Sequence, residues 1–377
     1  MRKERKGSGM NSRKDRIRTA AVCIAAGLLV GAVIILLLGK NPLKAYFNLL
    51  QGCGLAPKGK YASGKGMITD LLSYVDSVTP IIFAALAVAV AMKTGLFNIG
   101  VSGQMLFAGF LATVTVGYSS LPAVIAKPLV ILIGIAAGAL LGGLVGWLKY
   151  RFNINEVVST IMINYIVSYV VSFFIQTRYI DTVSRQSKLI RGEARLTLKN
   201  VPIAGYKCDI PLAIVLALAA VIAVHYLMHK RTLGFELKAV GYSPKAAGYA
   251  GIGVGRSIVT SMMISGALAG LAGVSYYLGY LGSIQPKVLA STGFDSIAVC
   301  LVGGSEPVGI LGASFFLQII SKGSTYMSSQ SGLESEIASV ITAVILLSTT
   351  MSTVLMEFMR RRRESREKRR AENDSDQ

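Results

Sequence analysis

The stretch AVIAKPLVILIGIAAGALLGGLVGWL, residues 123–148, decides the fold class. This almost uninterrupted apolar run is long enough to cross about 30 Å of hydrocarbon as a helix. Similar runs recur from residue 19 to residue 356. Charged residues make up only 15% of the chain, where a soluble domain carries about 25%. The sequence therefore predicts an all-α membrane protein with no separate soluble domain.

Positive charge is concentrated outside the apolar runs. The chain has 39 Lys and Arg against 19 Asp and Glu, a net charge of +20. These residues lie in loops and in two predicted tails, 1–18 and 359–377, where they orient membrane helices and meet anionic lipid. A nucleic-acid-binding protein would gather them on one folded face, so we predict a lipid bilayer and no nucleic acid as the partner of this charge.

The basic clusters also predict the topology. Those at 149–151, 229–231 and 360–363 each follow an apolar run and mark the cytoplasmic side. The transmembrane domain, 19–358, then has both termini in the cytoplasm and about ten spans, among them the short segments 80–92 and 294–302. Three further segments are assigned from their composition: an amphipathic surface helix at 41–51, an extracellular loop at 178–209 and a cytoplasmic segment at 229–256.

Two glycine patterns indicate how the spans are arranged. The hexamers GLFNIG at 95–100 and GFDSIA at 293–298 each border a short apolar run and fall in oppositely oriented halves of the predicted topology. This echo indicates an inverted pseudo-repeat around a transport pathway. Other glycines recur about every four residues and so share a helix face that permits close packing. They are Gly134, Gly138, Gly142 and Gly146 in one span, and Gly266, Gly270 and Gly273 in another.

Polar residues within the apolar part of the chain are candidates for the substrate pathway. A polar or ionisable group at membrane depth is costly unless it faces a cavity or a partner. The candidates are Asn98, Gln104, Glu156, Asn164, Tyr165 and Asp295. Local roles are the alternative: Glu156 and Asp295 stand near predicted helix starts, where a carboxylate complements the helix dipole, and Asn98 suits a turn.

The segment 232–256 is unusually polar for its place between two strongly apolar runs. Ser243 and Pro244 form a helix-start signal, and we predict a short helix over 245–250 that ends at Gly251. A short cytoplasmic helix suits docking on a partner, and an ordinary loop is the alternative. The candidate docking residues are Gly241, Pro244, Lys245, Ala246, Ala247, Tyr249 and Gly251.

The sequence gives only weak indications of a nucleotide-binding, metal-binding or catalytic site in this chain. GKYASGKG at 59–66 ends in Gly where a P-loop needs Ser or Thr to hold Mg²⁺, so no nucleotide site is expected. His225 and His229 have helical spacing but no third ligand nearby, so no metal site is expected. Cys53 and Cys208 fall on the outer side, which leaves a disulfide open, although unpaired cysteines are the favoured interpretation. No catalytic side-chain arrangement is present, so we predict a transport protein and not an enzyme.

Four motifs, in order along the chain, resemble those of permeases of the ABC importers for branched-chain amino acids, ribose and nucleosides. The form LFNIG followed by GQ is most similar to the nucleoside and simple-sugar branch, although Ser102 stands where that branch more often carries Glu. The motifs are GLFNIGVSGQMLFAGF at 95–110, NEVVSTIMINYI at 155–166, KAVGYSPKAAGYAGI at 238–252 and GFDSIAVCLVGGSEPVGI at 293–310.

This resemblance implies a type II ABC importer in a bacterial cell membrane, with about ten helices per permease and a related second permease. It further implies an ATPase docked on residues 244–252, which uses ATP and Mg²⁺, and an extracellular substrate-binding lipoprotein. Nucleosides are the implied cargo, and no cofactor is implied for this chain itself. A simple sugar such as ribose, or a branched-chain amino acid, is the alternative cargo. An ion-coupled secondary transporter, which has broken helices but needs no ATPase, is the alternative from another class.

Overall fold

The computed structural model describes residues 13–61, 65–203, 206–334, 336–337, 339–345 and 347–348. The predicted anchor at 360–363, the tail 359–377 and residues 1–12 lie outside them. The helices are α1 Arg13–Leu37, α2 Pro42–Gly52, α3 Met67–Lys93, α4 Val101–Ala112, α5 Ala123–Phe152, α6 Glu156–Phe174, α7 Ala213–Lys230, α8 Thr232–Tyr242, α9 Pro244–Tyr249, α10 Val254–Val274, α11 Ser291–Val302 and α12 Pro307–Ser331. The strands are β1 Thr197–Ile203 and β2 Tyr206–Pro211, and three π-helical segments, Thr113–Gly117, Ile175–Tyr179 and Ser275–Leu281, continue α4, α6 and α10.

Five helices in the described part of the chain are long and apolar enough to cross a membrane: α3, α5, α7, and α6 and α10 with their π-helical continuations. The end of α1 and the whole of α2, bent by 117°, would count as a sixth span if taken together. Their apolar length confirms a mostly helical chain that passes the membrane several times. The figure of about ten spans, which also counts shorter segments, stays a prediction.

Helix α3 is the centre of the bundle. It packs against α7, α10, α11 and α12, and nearly all of its residues from Tyr74 to Ala91 are buried. The prediction of a separate short segment that begins at Pro80 is wrong, because α3 runs from Met67 to Lys93 through Thr79 and Pro80 without a break. Both residues are fully enclosed by neighbouring helices, and the Thr79 hydroxyl donates to the Val75 carbonyl at 3.0 Å. Neighbouring helices and hydroxyl side chains are what make proline tolerable inside a membrane helix.

Helices α5 and α10 pack along the glycines that the sequence singled out. A Cβ built on Gly138 would meet the Gly266 carbonyl oxygen and lie 2.8 Å from the Gly270 Cα. In the same way, a Cβ on Gly270 would meet the Gly134 carbonyl oxygen. The two backbones therefore touch with no side chain between them, and we call this contact the glycine seam.

The loop after α6 contains structure that the prediction of an all-α chain missed. Strands β1 and β2 form an antiparallel hairpin in which Thr197 pairs with Pro211 and Val201 with Cys208. The hairpin packs on the start of α3, where the Thr197 hydroxyl donates to the buried Asp76 carboxylate at 2.8 Å. We call this side of the bundle the hairpin end, and the opposite side, which carries α8 and α9, the α9 end.

The two hexamers that suggested an inverted repeat differ in backbone conformation. Residues 95–100 are non-helical and separate α3 from α4, whereas residues 293–298 lie inside α11. Each still precedes or opens a short apolar helix, Val101–Gly117 and Ser291–Val302. The two hexamers are therefore similar in sequence but not in backbone conformation.

Candidate functional site

The non-helical connection between α3 and α4, residues 94–100, is the first part of the candidate site. It begins at Gly95, whose φ of +74° is a left-handed conformation that favours glycine. Buried Asn98 then organises the turn: its side-chain oxygen accepts from the Gly100 backbone N–H at 2.9 Å, and its amide nitrogen donates to Ser265 on α10 at 2.8 Å. Such side-chain bonds satisfy backbone groups that a broken helix leaves open.

Asn164 on α6 completes this arrangement. Its side-chain oxygen accepts from the Gly103 backbone N–H at 2.8 Å, and its amide nitrogen donates to the Ile99 carbonyl at 3.0 Å. Gln104 accepts from the Asn98 amide at 3.0 Å, while its own amide nitrogen is buried and has no hydrogen-bond partner among the described residues. The structure therefore brings three of the predicted pathway residues together, as a network that holds the connection in place.

The other three predicted pathway residues lie elsewhere. Glu156 stands in the first turn of α6 and forms an ion pair with Lys149 near the end of α5 at 2.8 Å. Tyr165 lies one residue after Asn164 but on the outer face of α6, with 57% of its surface exposed. Asp295 lies on α11 and lines a separate cavity, which we call the Asp295 cleft.

The Asp295 cleft has a volume of about 520 Å³ and lies between α3, α11, α12 and the helical residues 336–337 and 339–345. Ile81, near the middle of α3, forms part of its wall, so the cleft reaches the middle of the bundle. Its polar lining was not predicted, although residues spaced by three or four in α12 carry the signal. This lining consists of Gln318, Ser321, Ser324, Thr325, Glu336, Ser339 and Thr342 in addition to Asp295.

Helices α8 and α9 form the second part of the candidate site. The Ser243 hydroxyl accepts from the Ala246 backbone N–H at 3.3 Å, Pro244 is the first helical residue, and Gly251 has a φ of +81° just beyond the end. These features confirm the predicted short helix and its start signal. Helix α9 buries Ala247 and exposes most of its other residues, with Tyr249 94% exposed. A tyrosine so open to the surroundings marks α9 as a surface element.

A close backbone contact joins these helices to the α3–α4 connection. A Cβ built on Gly241, near the end of α8, would meet the Lys93 carbonyl oxygen and lie 2.9 Å from the Thr94 carbonyl carbon. Gly95 is in contact with Gly241 from the other side, since its own Cβ would lie 3.3 Å from the Gly241 Cα. A displacement of α8 towards the connection would therefore push on it directly, because close-packed backbones cannot interpenetrate.

A second contact joins the start of α4 to the cleft. The fully buried Ser102 hydroxyl donates to the Ala290 carbonyl at 3.0 Å, just before α11. A Cβ built on Gly293 would lie 2.7 Å from the Ser102 backbone nitrogen. Gly293 directly precedes Phe294 and Asp295, so Ser102 supports the wall of the cleft from behind.

The remaining sequence signals have structural roles. The His229 Nδ1–H donates to the His225 carbonyl at 3.0 Å, and the His229 Nε2 lies 3.4 Å from the Glu306 carboxylate. In the described part of the chain, no group of three His, Cys, Asp or Glu residues is placed to hold a metal ion. Cys53 and Cys208 are both buried, and neither forms a disulfide.

A bundle of apolar helices, with a helix interrupted inside it and an exposed short helix at one end, is typical of a membrane transport protein. The chain matches the family model of the permease component of branched-chain amino acid transport systems over residues 71–350, and it belongs to this family.

Relatives with known names extend this result. The chain is 35% identical to the guanosine ABC transporter permease protein NupP of Bacillus subtilis over 352 residues, 93% of this chain and 97% of NupP. It is 33% identical to the nucleoside ABC transporter permease protein NupB of Lactococcus lactis, covering 89% of this chain and 91% of NupB. It is 28% identical to the glucose ABC transporter permease protein TsgB13 of Haloferax volcanii, covering 92% and 89%. The same Bacillus and Lactococcus strains each have a second, more distant relative, NupQ at 26% and NupC at 25% identity.

Proposed function

We propose that this chain is the membrane-spanning permease subunit of a bacterial ABC importer for nucleosides. It forms the translocation pathway, and a separate ATPase subunit hydrolyses ATP with Mg²⁺. An extracellular binding lipoprotein delivers the cargo. The nucleoside assignment is supported by NupP and NupB, which match nearly the whole chain at 33–35% identity.

The contact of Gly241 with the α3–α4 connection is the observation that carries the coupling part of this proposal. An ATPase subunit needs an exposed docking element at one end of the bundle, and this docking element must be linked to a part of the permease that changes conformation. Helix α9 supplies the exposed docking element, since Lys245 and Tyr249 are both exposed. Helix α8 supplies the link, and the non-helical residues 94–100 are the element that changes shape.

The orientation follows from charge. The α9 end carries the basic residues 229–231 and the ion-paired Lys149, which supports placing it in the cytoplasm. The hairpin end then faces outward, where the lipoprotein docks. In this orientation the first helix begins in the cytoplasm, and the chain returns there after about ten crossings arranged as an inverted pseudo-repeat.

A second permease completes the transporter. NupP and NupB each have a partner relative in the same organism, NupQ and NupC, which supports a heterodimer of two related permeases. The Asp295 cleft is partly open to the surroundings, and we expect a second permease to close it into a continuous pathway.

The transport cycle combines these parts. ATP binding closes the ATPase on α9 and moves α8, and the contact at Gly241 moves the α3–α4 connection. Ser102 carries the movement to Gly293 and the cleft, which then opens to the other side. Polar side chains contact the cargo weakly on the way, because tight binding would slow its release.

Uptake of labelled guanosine tests the proposal. A strain lacking this permease and other nucleoside importers is complemented with the wild-type chain, with its ATPase partner present or deleted. We expect uptake only when both are present, and no effect of ionophores beyond the loss of ATP. Uptake that ionophores abolish at constant ATP, or that needs no ATPase, would refute the proposal in favour of ion coupling.

A simple sugar is the second candidate cargo, favoured by the resemblance to TsgB13. Competition separates the two: unlabelled nucleosides should suppress guanosine uptake, and unlabelled glucose or ribose should not. Uptake of labelled glucose or ribose in the complemented strain, with no uptake of labelled guanosine, would transfer the assignment to the sugar branch.

A further inference from the structure

We propose that the Asp295 cleft recognises the ribose hydroxyls of the cargo through its two carboxylates, and so makes the transporter select ribonucleosides over 2′-deoxyribonucleosides. This inference rests on the proposed function and deepens it. It assigns a specificity role to Asp295 on α11 and to Glu336, which follows α12.

The position and size of the cleft suit a small-molecule site. Ligand pockets enclose about 300–1,000 Å³, and this cleft encloses about 520 Å³. Ile81 places it at the middle of the buried helix α3, at the depth where transporters hold their cargo. Both walls are helices, so their side chains are held more firmly than side chains on loops.

The polar lining provides acceptors for a diol. Asp295, on α11, and Glu336, which follows α12, line the same cleft. An ionised carboxylate has two oxygens that only accept hydrogen bonds, and the adjacent 2′- and 3′-hydroxyls of ribose donate two. An acidic side chain meets ribose hydroxyls in the same way in dinucleotide-binding proteins. Removing the 2′-hydroxyl takes one hydrogen bond away from the contact between the sugar and the carboxylates, which weakens binding more than the loss of an apolar contact.

The rest of the lining suits the base. Phe294 adjoins Asp295 and is 43% exposed, so its ring is available for stacking. Stacking on an aromatic ring tolerates any base. Gln318 on α12 can donate and accept at a base edge with its amide. The serine and threonine hydroxyls on α12 and on 336–345 offer further weak contacts, which suit a site that must release its cargo.

The cleft is also in contact with α4, one of the elements that move in the proposed transport cycle. Gly293, directly before Phe294 and Asp295, is held against Ser102 at the start of α4. A shift of α4 therefore changes the position of Asp295 relative to the rest of the cleft. The hydrogen bond between the Asp295 carboxylate and the ribose would then break when the pathway opens.

The test compares uptake of labelled guanosine and 2′-deoxyguanosine by the complete transporter in the complemented strain. The variants are Asp295→Asn and Glu336→Gln, which keep the size of each side chain and remove its charge. The matched control is Glu334→Gln, the same chemical change two residues from Glu336; both glutamates are exposed, but only Glu336 lines the cleft. Amounts of each variant in the membrane are measured so that rates refer to equal protein.

We expect the wild-type chain and Glu334→Gln to prefer guanosine by about tenfold or more. Either cleft variant should lower guanosine uptake by about ten- to a hundredfold and deoxyguanosine uptake much less, so that the preference falls towards one. The binding lipoprotein is the same in every strain and cannot cause a change in the ratio. If both cleft variants keep the wild-type ratio, the ribose assignment is wrong. If the wild-type chain imports neither compound, the proposed function itself fails.

Discussion

Replacing Gly138 by alanine tests whether the glycine seam is as tight as its geometry indicates. The new Cβ would meet the Gly266 carbonyl oxygen and lie 2.8 Å from the Gly270 backbone, whereas carbon atoms in ordinary contact are about 3.5–4.0 Å apart. Helices α5 and α10 must therefore move apart by roughly 1 Å, and overpacking of this kind costs about 1–3 kcal/mol. Alanine also favours a helix over glycine by about 0.5–1 kcal/mol, which partly masks the cost.

Gly143→Ala, in the same helix, isolates the seam cost. Its Cβ would approach only the Met263 side chain, with the Cγ at 2.8 Å, and that flexible chain can move aside. Both variants gain the same helix preference, so the difference between them reports the seam. Thermal unfolding of the purified chains in detergent should place Gly138→Ala about 2–6 °C below Gly143→Ala, at the lower end of the usual shift per kcal/mol. Equal midpoints would show that α5 and α10 are not held backbone to backbone.

Gly241→Ala places a methyl group against the end of α3 and should lower guanosine uptake about 2- to 30-fold while the partner's ATPase rate persists; Gly312→Ala in α12, whose Cβ would meet nothing within 4 Å, is the control, and equal uptake by both would contradict the coupling route. Asp76→Asn weakens the anchor of the hairpin on α3 and should raise protease cleavage within β1 and β2 several-fold in membranes; unchanged cleavage would show that the carboxylate is not needed. The Ser184 hydroxyl and nearby backbone N–H groups hold the pKa of exposed Asp181 below its usual range. Its turn is therefore stabilised above the ordinary carboxyl pKa and loses that stabilisation as the pH falls through the lowered value. Hydrogen exchange of the Ser184 amide, corrected for its intrinsic rate, should show protection near about pH 7 that is lost towards about pH 3, and pH-independent protection would refute this.

Elements that depend on local sequence were predictable. The start of α9 follows from Ser243 and Pro244, and the break after α3 follows from Gly95, because both depend on the preferences of one or two residues. The length of the apolar runs likewise predicted the bilayer as the environment.

Features set by distant contacts were not predictable. Pro80 reads as a helix start, and only burial among four neighbouring helices keeps it inside α3. The hairpin depends on its packing against Asp76, about 120 residues earlier, and its strands have no strong alternating pattern. In the same way, the sequence indicated Asp295 but not Glu336, because nothing local shows that their segments line one cleft.

The candidate pathway residues divide for a related reason. A polar side chain at membrane depth must find a partner, and the sequence does not say whether that partner is cargo or backbone. Asn98 and Asn164 form hydrogen bonds with backbone groups, and Glu156 forms an ion pair with Lys149. Asp295 lines the cleft between α3, α11 and α12, which is why the specificity experiment centres on it.

The two bonds from Asn164 to the α3–α4 connection also bear on how the protein is made. The Ile99 carbonyl and the Gly103 N–H leave the ribosome about sixty residues before Asn164 does, and lipid offers them no substitute partner. The third and fourth helices therefore cannot settle into their final positions when they first enter the membrane. They must wait beside the insertion machinery, or in contact with water, until the sixth helix arrives.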